Sequence, residues 1–174
     1  MSESLAKASL KKITVRPVDR RRAGPAGLKK TLSGVVSYCV HGPGVKNKAS
    51  SFTSTKLIEV LRVGLPVDEL KALQDTLEVP MDKLVPMLGI SKATLHRRKT
   101  QGRLDQAESD RVVRYARLMG RAVEVMESEA NARQWLSSPQ FGLGGAVPLE
   151  YAETEVGARE VENLLGRIEY GVYS

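Results

Sequence analysis

The chain has 174 residues, 41% hydrophobic and 5% aromatic, with a formal net charge of +7. That is enough for one substantial domain or two small ones, and too few aromatics for a large aromatic-lined ligand pocket. There is no apolar run of the roughly 18 residues a membrane span needs, and MSESLAKASLKKITVRP at the start is polar and basic, unlike a signal peptide. One cysteine, Cys39, allows no internal disulfide and fits a reducing cytoplasm; with two histidines it also argues against structural zinc. No cofactor or metal is expected. Charge is divided along the chain: a net +9 in residues 1–50, +3 in 51–120 and −5 in 121–174. A cationic front and an anionic back point to two different partners, one of them a polyanion.

Residues 1–50 read as a weakly structured basic tail, or as an arm that adds phosphate contacts. Pro17, Gly24, Pro25, Gly27, Gly34, Gly42, Pro43 and Gly44 break them into short runs. Within them, Thr31 to Val40 fits either a strand or a helical turn. From Thr53 the spacing becomes helical. Leu57, Val60 and Leu61 share one face, and Gly64 and Pro66 end that helix. Val67, Leu70, Leu73 and Leu77 form the next stripe, with Asp68 and Glu69 in its first turn, where the helix dipole favours acids. Pro80 opens a third helix, MDKLVPML, and Pro86 is expected in its first turns, where a missing N–H costs little.

The stretch LGISKATLHRRKTQGRL, Leu88 to Leu104, carries the main motif. Gly89 suits a left-handed position at a helix end, and Ser91 is a good N-cap for the helix that follows. Helix, glycine turn, helix is the helix-turn-helix pattern, and the second helix holds only basic charges. Ser91, Lys92 and Thr94 lie at the helix N-terminus, where recognition helices meet base edges, and His96 reads as a DNA-facing or solvated residue. Arg97, Arg98, Lys99 and Arg103 are better placed for phosphates or guanine. Leu95 is the expected anchor to the core. A long helix then runs from about Asp105 to the Met126 region. The middle of the protein therefore reads as all-α.

In the last third, Trp135 and Leu136 close a short helix before Pro139, and FGLGGAVPLEY is a glycine-rich loop. Its GLGG lacks the G-x-G-x-x-G spacing and follows no strand, so a phosphate cradle is not expected. TEVGAREVENLLGRIEYG is an amphipathic helix with glutamates around it. No nucleophile–histidine–acid set is present, His41 and His96 have no evident partners, and the reading is of a non-enzyme.

Four blocks together resemble a known family: LGISKATLHRRKTQGRL; ESDRVVRYARL from Glu108 to Leu118; A-x-x-W-L-x-x-P-Q-x-x-L-x-G-x-x-P-L from Ala132 to Leu149; and Thr154 to Ser174. They are similar to the Xre-type antitoxins of RES–Xre toxin–antitoxin modules, with the toxin-binding C-terminal domain of the Xre/MbcA/ParS type. The resemblance runs from about residue 53 to the end. It implies a helix-turn-helix domain over residues 51–125 and a small helical toxin-binding domain over 126–174, behind the basic segment 1–50. It also implies a cytoplasmic homodimer that represses its own operon by binding operator DNA. Its partner would be a RES-domain toxin, an ADP-ribosyltransferase-like enzyme that depletes NAD. Glu169, Tyr170, Gly171, Val172, Tyr173 and Ser174 become candidates for the segment that blocks the toxin's cleft, with Glu155, Glu160 and Glu162 in support. A cleft that takes a dinucleotide's phosphates is expected to be basic, so Glu169 and the terminal carboxylate can compete there while a tyrosine stacks. The alternative is a stand-alone helix-turn-helix regulator whose C-terminal domain only dimerises.

Overall fold

The computed structural model describes residues 34–42 and 54–172. Most of the basic segment, and Tyr173 and Ser174 among the candidate residues, lie outside them. The described residues form helices and no strand, in keeping with the all-α expectation. The helices are α1 (Val35–His41), α2 (Ser54–Val63), α3 (Asp68–Leu77), α4 (Met81–Met87), α5 (Lys92–Gln101), α6 (Gln106–Met126), α7 (Glu129–Ser137), α8 (Pro148–Tyr151) and α9 (Glu155–Glu169). A 3-10 turn, Phe141–Leu143, lies in the glycine-rich loop.

The 21-residue α6 is the axis, and α1, α2, α3, α7 and α9 all pack on it. Asp105 starts it. Its carboxylate accepts from the Glu108 N–H at 2.8 Å, and the Glu108 carboxylate accepts from the Asp105 N–H at 2.8 Å, a reciprocal capping box. Val112, Tyr115, Ala116, Leu118, Met119 and Ala122 then bury its length. The Tyr115 hydroxyl donates to the Leu149 carbonyl at 3.2 Å, so even this core phenol is satisfied.

Two details differ from the sequence reading. Pro86 sits in the last turn of α4, not the first. The helix stops at Met87, so the lost bond lies at an end that is about to break. The larger difference is α1, which takes a segment assigned to the basic tail into the core: Val35, Val36 and Val40 are buried. It lies close enough to α6 that a Cβ on Gly120 would stand 2.4 Å from the Cys39 carbonyl oxygen. Its start is capped from α3. The buried Glu69 carboxylate accepts from the N–H groups of Gly34, of Val35 at 3.3 Å and of Val36 at 2.9 Å. Three orphan donors of a helix start thus meet one anion. Burial raises the Glu69 pKa, and the three N–H groups pull it back. Burial likewise pushes the Cys39 thiol up from 9.0 to about 11, against the pull of Arg117. His41, at the end of α1, has Nδ1 3.9 Å from Glu129, a partner its sequence context did not reveal.

No helix among the described residues is long and apolar enough to cross a membrane. Glu69→Ala is expected to lower unfolding stability by about 3 kcal/mol, because it strands buried donors. Urea denaturation of the variant beside the parent chain measures it. A loss under about 0.5 kcal/mol, the range of an ordinary surface change, would show that the cap is dispensable.

Candidate nucleic-acid and toxin interfaces

α4 and α5 are joined by a tight turn. Ile90 N–H returns to the Val85 carbonyl at 3.0 Å, and Gly89 takes the left-handed φ of 63° that the turn needs. Ser91 Oγ accepts from the Thr94 N–H at 3.1 Å, the expected N-cap. Val67 N–H bonds the Gly102 carbonyl at 3.2 Å and Leu104 N–H the Leu65 carbonyl at 2.8 Å, which ties the far end of α5 to the α2–α3 connection.

Around α5 the candidate residues divide. Ser91, Lys92, His96, Arg97 and Lys99 are exposed. Lys92, Arg97 and Lys99 make no ion pair with any described residue. Thr94 is half-buried, on the side of Leu95. Arg103 is half-buried too; it bridges to Pro66, and its Nη1 is buried with no hydrogen-bond partner among the described residues. Arg98 turns inward. Its Nε donates to Glu108 Oε2 at 2.7 Å and its Nη2 to Asp105 Oδ2 at 2.6 Å. Its side chain is 14% exposed and that of Glu108 6%. The Glu108 hydrogen bond raises the Arg98 pKa further above its already high value. Arg98 is thus a structural tie between α5 and the start of α6. At 100° per residue, Arg98 lies on the Leu95 side and Arg97 does not; charge alone cannot separate them.

The C-terminal candidates also divide. Glu155, the first residue of α9, is held by Arg114 Nε at 3.1 Å and faces Arg159 Nε at 3.5 Å. Glu160 is exposed, with the Asn163 amide at 3.4 Å. Glu162 is half-buried and lines a groove of about 540 Å³ with Arg114, Arg117 and Arg159. Glu169 is not a free competitor for a distant cation, since it forms a two-pronged ion pair with Arg121 of α6. Beyond it the chain turns away. Val172 N–H bonds the Arg167 carbonyl at 2.9 Å and Gly171 N–H the Ile168 carbonyl at 3.2 Å, a Schellman motif. Tyr170 and Val172 are left 78% and 54% exposed. Sequence reasoning missed Phe141, which is 98% exposed; a lone aromatic between glycine-rich and uncharged residues was the available signal. No group of three or more His, Cys, Asp or Glu among the described residues could hold a metal ion.

This is the architecture of a helix-turn-helix protein with a helical C-terminal domain built on the same axis. The sequence profile described as the antitoxin Xre-like helix-turn-helix domain matches residues 56–117, and the profile described as the antitoxin Xre/MbcA/ParS C-terminal toxin-binding domain matches residues 121–171. The chain is 36% identical to the antitoxin Xre of Yersinia enterocolitica over 122 residues, 69% of this chain and 82% of that one. It is 33% identical to the antitoxin Xre of Photorhabdus laumondii over 126 residues, 71% of this chain and 85% of that one. A Sphingobium protein named Prs ADP-ribosylating antitoxin is 27% identical over 127 residues, 67% of this chain and 80% of that one. The chain belongs to the Xre antitoxin family, with a helix-turn-helix domain and a toxin-binding domain.

The two neighbouring arginines of α5 are expected to behave oppositely in stability. Arg98→Ala strands the buried Glu108 carboxylate and costs about 2 kcal/mol, whereas Arg97→Ala stays within about 0.5 kcal/mol of the parent. Equal urea midpoints for the two variants would contradict the tie.

Proposed function

We propose that the chain neutralises a RES-domain toxin by obstructing its NAD-binding cleft, and that it represses its own operon as a homodimer through α5. The observation that carries the first half is the exposed segment that leaves α9. The Arg121–Glu169 pair fixes the end of the helix, the Schellman motif turns the chain off it, and Tyr170, Gly171 and Val172 are presented to solvent. Tyr173 and Ser174 follow. An aromatic on such a segment can stack where a nicotinamide or adenine ring would lie. In this reading Glu169 positions the plug and the exposed Glu160 offers an acidic contact that suits a basic cleft, while Glu155 and Glu162 support it from a groove where Arg114, Arg117 and Arg159 balance them. The relative named Prs ADP-ribosylating antitoxin carries ADP-ribosylation in its name, and ADP-ribosyl transfer consumes NAD. The toxin-binding profile over residues 121–171 favours this reading over a regulator whose second domain only dimerises.

For the operator, Lys92, Arg97 and Lys99 supply phosphate contacts, and Ser91 and His96 face the base edges. Arg103 is close enough in sequence to assist, and Arg98 acts by holding α5 in place.

Co-expression of the toxin with a chain lacking residues 170–174 is expected to abolish growth rescue. If rescue persists, the segment is not the plug. For DNA, Arg97→Ala is expected to weaken binding to different sequences about equally and to reduce the slope of log K against log salt by about 1. An unchanged slope in fluorescence anisotropy would remove Arg97 from the phosphate contacts.

A further inference from the structure

The turn between α7 and α8 holds a phenylalanine that nothing in the fold uses. Phe141 has nearly its whole side chain in water. The turn under it is well fixed. Gln140 N–H donates to the Ala146 carbonyl at 3.0 Å, Gly145 N–H returns to the Gln140 carbonyl at 2.9 Å, and Gly144 N–H donates to the Phe141 carbonyl at 2.9 Å. The Gln140 amide reaches back to the Trp135 carbonyl at 2.9 Å and the Ser138 carbonyl at 3.1 Å, which pins the turn to the end of α7. Gly142 is pressed onto α9, so that a Cβ there would stand 2.6 Å from Leu164 Cδ1. A rigid seat thus presents one large apolar side chain outward.

Charge narrows what can cover it. Residues 134–149 contain no charged side chain, and Glu150 and Glu153 follow. A nucleic-acid backbone finds no counter-charge here. A second copy of the chain seated on this turn would set the exposed Glu150 and Glu153 of one copy near those of the other, a like-charge juxtaposition. What fits is a different protein, with an apolar socket and a neutral or cationic rim. The turn also falls inside the segment matched by the toxin-binding profile.

We propose that Phe141 is an anchor for the toxin: an aromatic knob, held ready on the Gln140–Ala146 turn, that enters an apolar socket on the toxin's surface. It is a contact separate from the segment that leaves α9, and it rests on the toxin-blocking reading above. A turn already ordered before binding loses little conformational freedom on docking, and buried aromatic anchors carry a disproportionate share of interface energy.

The test uses the full chain and an inactive variant of the RES-domain toxin, with affinity read by calorimetry. Phe141→Ala is expected to weaken toxin binding by about 30-fold or more, which is about 2 kcal/mol. Its melting temperature and operator affinity should match the parent's, since the side chain is solvent-exposed. Phe141→Trp should recover part of the loss. Toxin binding within threefold of the parent overturns the anchor while leaving the toxin-blocking reading in place. Retained toxin binding with a fall from dimer to monomer assigns Phe141 to a contact between copies and also overturns it. If the parent chain itself does not bind the toxin, both readings fall together.

Discussion

One arginine joins the surface of this protein to its axis. The Arg98 guanidinium leaves α5 and meets Glu108 and Asp105, the two acids that cap the start of α6. The same carboxylates do two things: they satisfy the first N–H groups of the central helix, and they hold the helix that faces outward. A helix as polar as α5, with no buried residue of its own, has little hydrophobic hold on the protein. Its orientation therefore depends on this junction, on the half-buried Leu95 and on the backbone bonds at Gly102 and Leu104. Lys92, Arg97 and Lys99 stay exposed on α5 while Arg98 turns inward.

The parts of the molecule written in local pattern were legible. Gly89 and Ser91 mark the turn and cap of α5, the three- and four-residue spacing of leucines marks α2 to α4, and the blocks around Trp135 and Leu165 mark the C-terminal domain. Features decided by distant partners were not. Val35, Val36 and Val40 suit a strand as well as a helix, and the choice is made by a carboxylate more than thirty residues away on α3. Arg97 and Arg98 are chemically alike and differ only in which side of α5 they occupy. Glu169 reads as a spare acid until Arg121, on another helix, is seen to hold it. Phe141 falls in a stretch read only as a glycine-rich loop, and nothing local shows that it is presented to solvent above a turn pressed onto Leu164.

The charge gradient of the chain has a structural counterpart. Lys92, Arg97 and Lys99, which make no ion pair with any described residue, lie on α5, and the glutamates of α9 are partly neutralised by arginines of α6: Arg114 for Glu155 and Arg121 for Glu169. The arginines of the axis therefore temper the acidic face where it joins the core and leave Glu160 and the outer surface anionic. Exposed ion pairs of this kind contribute little to stability individually, and their value here is in fixing where α9 begins and ends.

Because α6 belongs to both matched segments, no flexible tether separates them. The junctions on either side of it, Gly102 to Asp105 and Glu127 to Ser128, are short and engaged in caps. Between Glu108 and Arg121 the helix spans about 20 Å as a stiff rod. A cellular protease, which needs several residues of extended and accessible backbone, finds no natural place there to cut one half away from the other. Degradation would have to begin elsewhere and would then dismantle both halves, so turnover of the chain would remove the helix-turn-helix domain and the toxin-binding domain in a single event.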